Sequence, residues 1–182
     1  MTNATIERLG HLGDGIAAGP LYVPRALPGE VVTGEVEGDR LRDMRVVTPS
    51  PDRVRAPCRH YKGCGGCALQ HASDALVSNW KTDIVTRAME AQGLSAPIRA
   101  IHTSRPESRR RATFTARRTK KGSLVGFHAP ASDVVVEVPD CRLVTPNLRA
   151  ALPAVGALCE QGAARRGSLA VTVTETETGL DI

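Results

Sequence analysis

The residues best suited to chemistry are cysteines. Cys58, Cys64 and Cys67 stand in the run Cys58-Arg-His-Tyr-Lys-Gly-Cys64-Gly-Gly-Cys67, a C-x5-C-x2-C spacing, and a fourth thiol, Cys141, follows far downstream. Thiolates are soft donors that suit iron-sulfur clusters and zinc. Three local ligands and one distant ligand would let a metal centre staple a loop to whatever element carries Cys141. Gly63, Gly65 and Gly66 remove side-chain bulk, so the backbone can wrap closely and aim N–H groups at sulfur. That wrapping fits a bulky cluster better than a single ion. Zinc is the competing reading, either with Cys141 as fourth ligand or with His71 completing C-x5-C-x2-C-x3-H. The fifth cysteine, Cys159, lies between Leu158 and Glu160 with no nearby partner and reads as an inert core thiol.

A second group of residues could do electrostatic work. The chain has 24 Lys and Arg against 19 Asp and Glu, a net charge of +5. Eight of the basic residues and one acid fall between Arg105 and Lys121, which leaves 16 basic against 18 acidic residues elsewhere. All the positive excess is therefore concentrated in one segment, the footprint expected for a polyanion. Arg109, Arg110, Arg111, Arg117, Arg118, Lys120 and Lys121 are the candidate phosphate contacts. They would position a nucleic acid without reading its sequence. The competing reading is a solvated strand face.

The elements that must position these groups fall into two domains. At 182 residues, 41% hydrophobic and 24% charged, the chain can build globular cores, with few aromatics to fill them. Residues 1–50 read as short strands between turns, with Pro20–Pro24, Glu30–Glu37 and Arg40–Val47 β-rich and a hairpin at Glu37-Gly38-Asp39. Such a run suggests a small OB-like antiparallel barrel, closed to remove its edges. Residues 51–72, with their prolines and the cysteine motif, form a connector. Residues 73–182 read as an α+β domain. It begins with a helix capped by Ser73 or Asp74, running to about Gln92 and stopped by Gly93. Its apolar stripe is Leu76, Trp80, Ile84 and Ala88, flanked by Val77, Val85 and Met89. From Arg109 the period is two: Ala112, Phe114 and Ala116 face one way, Arg111, Thr113, Thr115 and Arg117 the other. A turn at Thr119–Gly122 leads to a return strand, and a strand at Val134–Val138 delivers Cys141. A helix over Pro146–Glu160 and a strand over Leu169–Thr174 follow. No apolar run spans a bilayer and the first residues lack a signal-peptide pattern, so a cytoplasmic protein is expected.

The run Cys58 to His71, CRHYKGCGGCALQH, resembles the iron-sulfur signature of the uracil-5 RNA methyltransferases that act on large-subunit ribosomal RNA and related RNAs. The opening Ile6-Glu-Arg-Leu-Gly-His-Leu-Gly-Asp-Gly-Ile-Ala and Val23-Pro-Arg-Ala-Leu-Pro-Gly-Glu resemble the TRAM domain, an OB-like RNA-binding barrel, that precedes it. Gly126-Phe-His, Val138-Pro-Asp-Cys141 and Thr176-Glu-Thr-Gly-Leu-Asp-Ile resemble that family's central domain. The resemblance implies a 4Fe-4S cluster on Cys58, Cys64, Cys67 and Cys141 and an RNA partner, ribosomal RNA or alternatively tRNA. It also implies S-adenosylmethionine for the complete enzyme. The family's Rossmann-like methyltransferase domain is expected to be missing from this chain, which has no glycine-rich cofactor loop after a strand, no Asp-Pro-Pro segment and no nucleophile-like cysteine near a glutamate. The central domain then reads as truncated at its C-terminal end, with no catalytic residue present. The alternative function is a stand-alone zinc- or iron-sulfur-containing RNA-binding module.

Overall fold

A computed structural model describes all of residues 1–182. The chain divides into two compact units, and neither is continuous in sequence. The first is Met1–Ala56 with Ala68–Thr103; the second is Pro57–Cys67 with Ser104–Ile182.

In the first unit β1 (Thr2–Leu9), β2 (Gly15–Ala17), β3 (Leu21–Val23), β4 (Val31–Glu37) and β5 (Arg40–Thr48) close into a barrel of order β1-β2-β3-β5-β4. Closure comes from β1 pairing with β4, so the expected small barrel is present, but it is not antiparallel throughout: β3 and β5 pair in parallel at Tyr22 and Arg40. Its interior is filled by Ile6, Val23, Ala26, Val32 and Leu41. Small residues are needed where strands crowd: a Cβ at Gly34 would lie 2.4 Å from the Arg42 carbonyl oxygen, at a register shift between β4 and β5.

Helix α1 (Asp74–Glu90) begins where Ser73 accepts a hydrogen bond from the Leu76 N–H. Gly93, at φ +68°, ends the helical path, with the Leu94 N–H bonded back to the Met89 carbonyl. Leu76, Val77 and Trp80 pack against Leu9 and Leu27, and the Trp80 indole donates to the Gly10 carbonyl at 3.0 Å. This contact places residues 73–103 with the barrel, whereas the sequence alone groups them with the α+β domain. The second half of the anticipated stripe is not covered: Ala88 is exposed and Val85 is 50% exposed.

Connector and barrel are joined by a buried ion pair. Glu30, fully buried, accepts from the backbone N–H groups of Leu27 and Ser50 and from both Nε and Nη2 of Arg53. Those donors outweigh the burial that would otherwise raise its pKa, and the carboxyl is held below its usual range.

In the second unit β6 (Arg111–Thr119), β7 (Gly122–His128), β8 (Val135–Glu137), β9 (Ser168–Glu175) and β10 (Leu180–Asp181) form a sheet of order β10-β9-β6-β7-β8. The period-two reading of β6 holds, since Ala112, Phe114 and Ala116 are buried while Arg111 and Thr113 are exposed. Helices α2 (Pro146–Ala150) and α3 (Leu152–Gly162) cover the apolar face. The single helix expected over Pro146–Glu160 is broken at Ala151. Pro153 has no N–H to offer the Arg149 carbonyl, and its ring disfavours an unbroken turn there. Cys159 is fully buried in this core, as an inert thiol should be.

A candidate thiol centre and a divided basic strand

All four thiols of the motif belong to the second unit. The loop Cys58–Cys67 is a series of tight turns: the N–H groups of Gly63 and Cys64 both bond to the His60 carbonyl, at 3.0 and 2.8 Å, and the Tyr61 N–H bonds to that of Cys58. Gly65 fastens it to the sheet. Its N–H donates to the His128 carbonyl at 2.8 Å, and a Cβ there would fall 2.7 Å from that same oxygen. Gly66 lies against the Phe127 ring and donates its N–H to Cys64 Sγ at 3.3 Å. The glycines thus divide their work. Gly66 serves sulfur as expected and Gly65 serves strand contact, whereas Gly63 has open space beside it and supplies no needed clearance.

Cys141 arrives after β8 on a turn closed by its own N–H to the Val138 carbonyl. Its carbonyl accepts from Arg149 Nη1 at 2.8 Å, and the same nitrogen holds Glu107 at 2.9 Å. Arg149 first, with Arg142 beside it, holds the Glu107 carboxyl below its usual pKa. A second tie joins loop to turn: Asp140 binds His60 Nε2 at 2.6 Å and Arg59 Nε at 2.9 Å. The His60 hydrogen bond, aided by Arg59, lowers the Asp140 pKa. Neither Asp140 nor Arg149 stands out in sequence, because each works through a partner dozens of residues away.

Cys64 and Cys141, 9% and 7% exposed, share one core with Phe114, Val138 and Val144. Burial pushes the Cys64 thiol up; the Gly66 N–H opposes this, and the neighbouring Cys141 and Cys58 thiols raise it further. Mutual repulsion of thiolates at close quarters is what a bound cation relieves. Cys58 and Cys67 are half-buried, and no disulfide joins the five cysteines. No group of three or more His, Cys, Asp or Glu side chains is gathered tightly enough to hold a metal ion. What the fold does bring together is Cys64, coupled electrostatically to Cys141 and Cys58, with the Gly66 N–H aimed at its sulfur.

His71, the alternative zinc ligand, belongs to the first unit. It is buried, and its pKa is lowered to about 4 by burial, with Arg53 and Arg25 adding to the effect and Glu30 opposing it. Such a setting keeps the imidazole neutral among charged neighbours of its own unit.

The basic run is divided by the fold. Arg109 and Arg110 are exposed ahead of β6, and Arg109 bridges to Val144 through main-chain bonds. Arg110 is near Glu175, whose pKa is lowered by hydrogen bonds from Thr145 and Asn147 and by that arginine. Arg111 Nε donates to Thr174 Oγ1 and Arg117 Nη2 to the Asp133 carbonyl. Arg118 has the parity of the core-facing residues, and its Nη1 donates to the Ala163 carbonyl at the end of α3. Lys120 and Lys121 are exposed on the β6–β7 turn.

No protein-family model matches the chain. An uncharacterized RNA methyltransferase of Rhizobium meliloti is 40% identical over 187 aligned positions, covering 98% of this chain and 45% of that protein. One from Caulobacter vibrioides is 39% identical, covering 100% and 46%. The 23S rRNA (uracil(1939)-C(5))-methyltransferase RlmD of Vibrio cholerae is 34% identical over 86% of this chain and 38% of its own length. Among solved structures, the Pyrococcus abyssi tRNA (uracil-54, C5)-methyltransferase, crystallised with S-adenosyl-L-homocysteine, superposes with a TM-score of 0.65 over 97% of this chain and 43% of its own. At 19% identity that likeness is one of fold. The chain is thus homologous to RNA methyltransferases along nearly its whole length, and it spans less than half the length of those curated relatives.

Proposed function

We propose that this chain is the RNA-binding, cluster-bearing portion of an RNA uracil-C5 methyltransferase, with Cys58, Cys64, Cys67 and Cys141 holding a 4Fe-4S cluster. The observation that carries the reading is the convergence of the C-x5-C-x2-C loop on the Cys141 turn, with Cys64 and Cys141 buried together and three of the thiols coupled electrostatically. The relatives' names support an RNA substrate, ribosomal or transfer RNA. In the complete enzyme S-adenosylmethionine supplies the methyl group, and the present residues bind and orient RNA.

Within this reading the cluster staples loop to sheet, which is structural work needing no change of oxidation state. Asp140 with Arg59 and His60 aligns the loop, and Arg149 fixes the carbonyl of Cys141. The barrel of the first unit corresponds to the TRAM-like domain, and within the basic run the exposed Lys120 and Lys121 are the candidate RNA-facing set, whereas Arg110 at the other end lies beside Glu175. Arg118 serves that set from the side, by anchoring a neighbouring loop.

Purification without oxygen, followed by visible absorption and iron, sulfide and zinc analysis, tests the reading. A brown protein with about four irons and four sulfides per chain is expected, and Cys64→Ser is expected to lose most of the iron and part of its stability. A colourless protein holding one zinc would overturn the cluster and favour a zinc module.

A further inference from the structure

The basic run of the sequence acquires two different ends in the fold. β6 spans Arg111–Thr119, so at about 3.3 Å per residue its ends are about 26 Å apart. At the Arg109–Arg111 end, carboxylates are close: Glu175 beside Arg110, and Glu107 bonded to Arg149 and Arg142. At the other end the β6–β7 turn exposes Lys120 and Lys121, and here the sheet brings in residues from far along the chain. The last pair of the β6–β9 ladder is Arg117 with Ser168, and just before Ser168 stand Arg165 and Arg166, both exposed.

That α3–β9 loop is held in place. The Arg118 N–H bonds to the Gly167 carbonyl at 3.0 Å, Arg118 Nη1 bonds to the Ala163 carbonyl at 3.1 Å, and the Gly167 N–H closes a turn on Ala164. A basic side chain of the run is thus spent on fixing a second basic loop beside the first. Glu160 is also at this end, accepting from Ser123 Oγ at 3.1 Å, and leaves a clear cationic excess over Lys120, Lys121, Arg165 and Arg166.

Resting on the RNA-binding reading above, we propose that these two loops form a phosphate grip at one end of the sheet, with Arg165 and Arg166 as contact residues and the Arg109–Arg110 end outside it. Side chains from two rigid, adjacent loops can flank one backbone segment, whereas charges about 26 Å apart along a strand cannot.

The experiment is the salt dependence of binding of a labelled single-stranded, uridine-containing RNA to the whole 182-residue chain, with the double variants K120A/K121A, R165A/R166A and R109A/R110A. Losing two phosphate contacts lowers the log–log salt slope by about 1.4 for a single strand, about 25-fold in affinity at 0.1 M salt if binding at 1 M is unchanged. Both loop variants are expected to show this with unchanged circular dichroism, K120R/K121R to restore the slope, and R109A/R110A to keep it. Unchanged slopes in the loop variants, or flattening by R109A/R110A alone, overturn the grip while leaving the RNA reading intact. A wild-type chain without measurable RNA binding overturns both.

Discussion

Gly126→Ala tests how the sheet delivers Cys141. Gly126 lies opposite Glu137 in the β7–β8 ladder, and a Cβ added there would sit 1.8 Å from the Val136 carbonyl oxygen and 2.7 Å from its carbon. Ordinary contact begins near 3.4 Å, and the obstructing atoms are backbone, so no side chain can swing aside. β8 must retreat by roughly 1.5 Å, which breaks hydrogen bonding between strands normally about 4.8 Å apart. Two ladder bonds at about 1 kcal/mol each, with about 1 kcal/mol more from loosened packing of Phe127 and Val136, give about 3 kcal/mol. Amide exchange at Phe127, His128 and Val136 should then run about 150-fold faster than in the parent. Because β8 leads directly to Cys141, retention of iron by the proposed cluster should fall in parallel. Gly63→Ala is the matched control in the cysteine loop: its new methyl would meet only the His60 carbonyl oxygen at 4.0 Å, and the change should be within about 0.5 kcal/mol of neutral. If Gly126→Ala keeps parental exchange and full iron, the crowding at Val136 is not what fixes the Cys141 strand.

Two further outcomes are expected. His71 has a folded pKa of about 4 against about 6.5 when unfolded, so the unfolded state binds the extra proton and stability falls as pH drops through that window. The loss approaches about 3 kcal/mol by pH 4; His71→Gln should flatten the acid limb between pH 6.5 and 4 in urea unfolding, and parallel curves for variant and parent would refute the assignment. Glu30, whose pKa is lowered, acts in a lower window, since its contribution is present above the unfolded value and is lost as pH falls through the folded one. Asp140→Asn should release iron to a chelator several-fold faster with unchanged circular dichroism, through loss of the tie to Arg59 and His60; an unchanged rate would leave that tie without a role in retention.

Local chemistry was readable in the sequence where neighbours decide it. Ala112, Phe114 and Ala116 announce the buried side of β6 because a strand alternates, and Ser73 and Gly93 mark α1 because caps and left-handed stops are local. The coupling of Cys64 with Cys58 needed only their spacing in one short loop. What stayed hidden depends on distant partners. Trp80 seats α1 on the barrel through Gly10, 70 residues earlier. Asp140 meets His60 across 80 residues, and Arg165 and Arg166 join Lys120 and Lys121 only because β9 pairs with β6. The break at Ala151 was different: Pro153 was visible, and the apolar run around it masked the missing donor.

The thiol-bearing excursion of residues 57–67 is made by the second unit in the middle of the first, whose own residues resume at Ala68. During synthesis three of the thiols therefore emerge well ahead of the fourth, since Cys67 and Cys141 are 74 residues apart. At about 5–20 residues per second that interval lasts roughly 4–15 s. Within it the barrel and α1 can form, while the strands that receive the loop are still inside or behind the ribosome. The order of translation thus makes the nascent loop a transient three-thiol species, open to oxidation or to capture of a stray soft metal. Its survival in the cell then depends on how fast β6, β7 and β8 follow, and a pause in translation between Thr103 and Cys141 would lower the yield of correctly folded protein without altering a single residue.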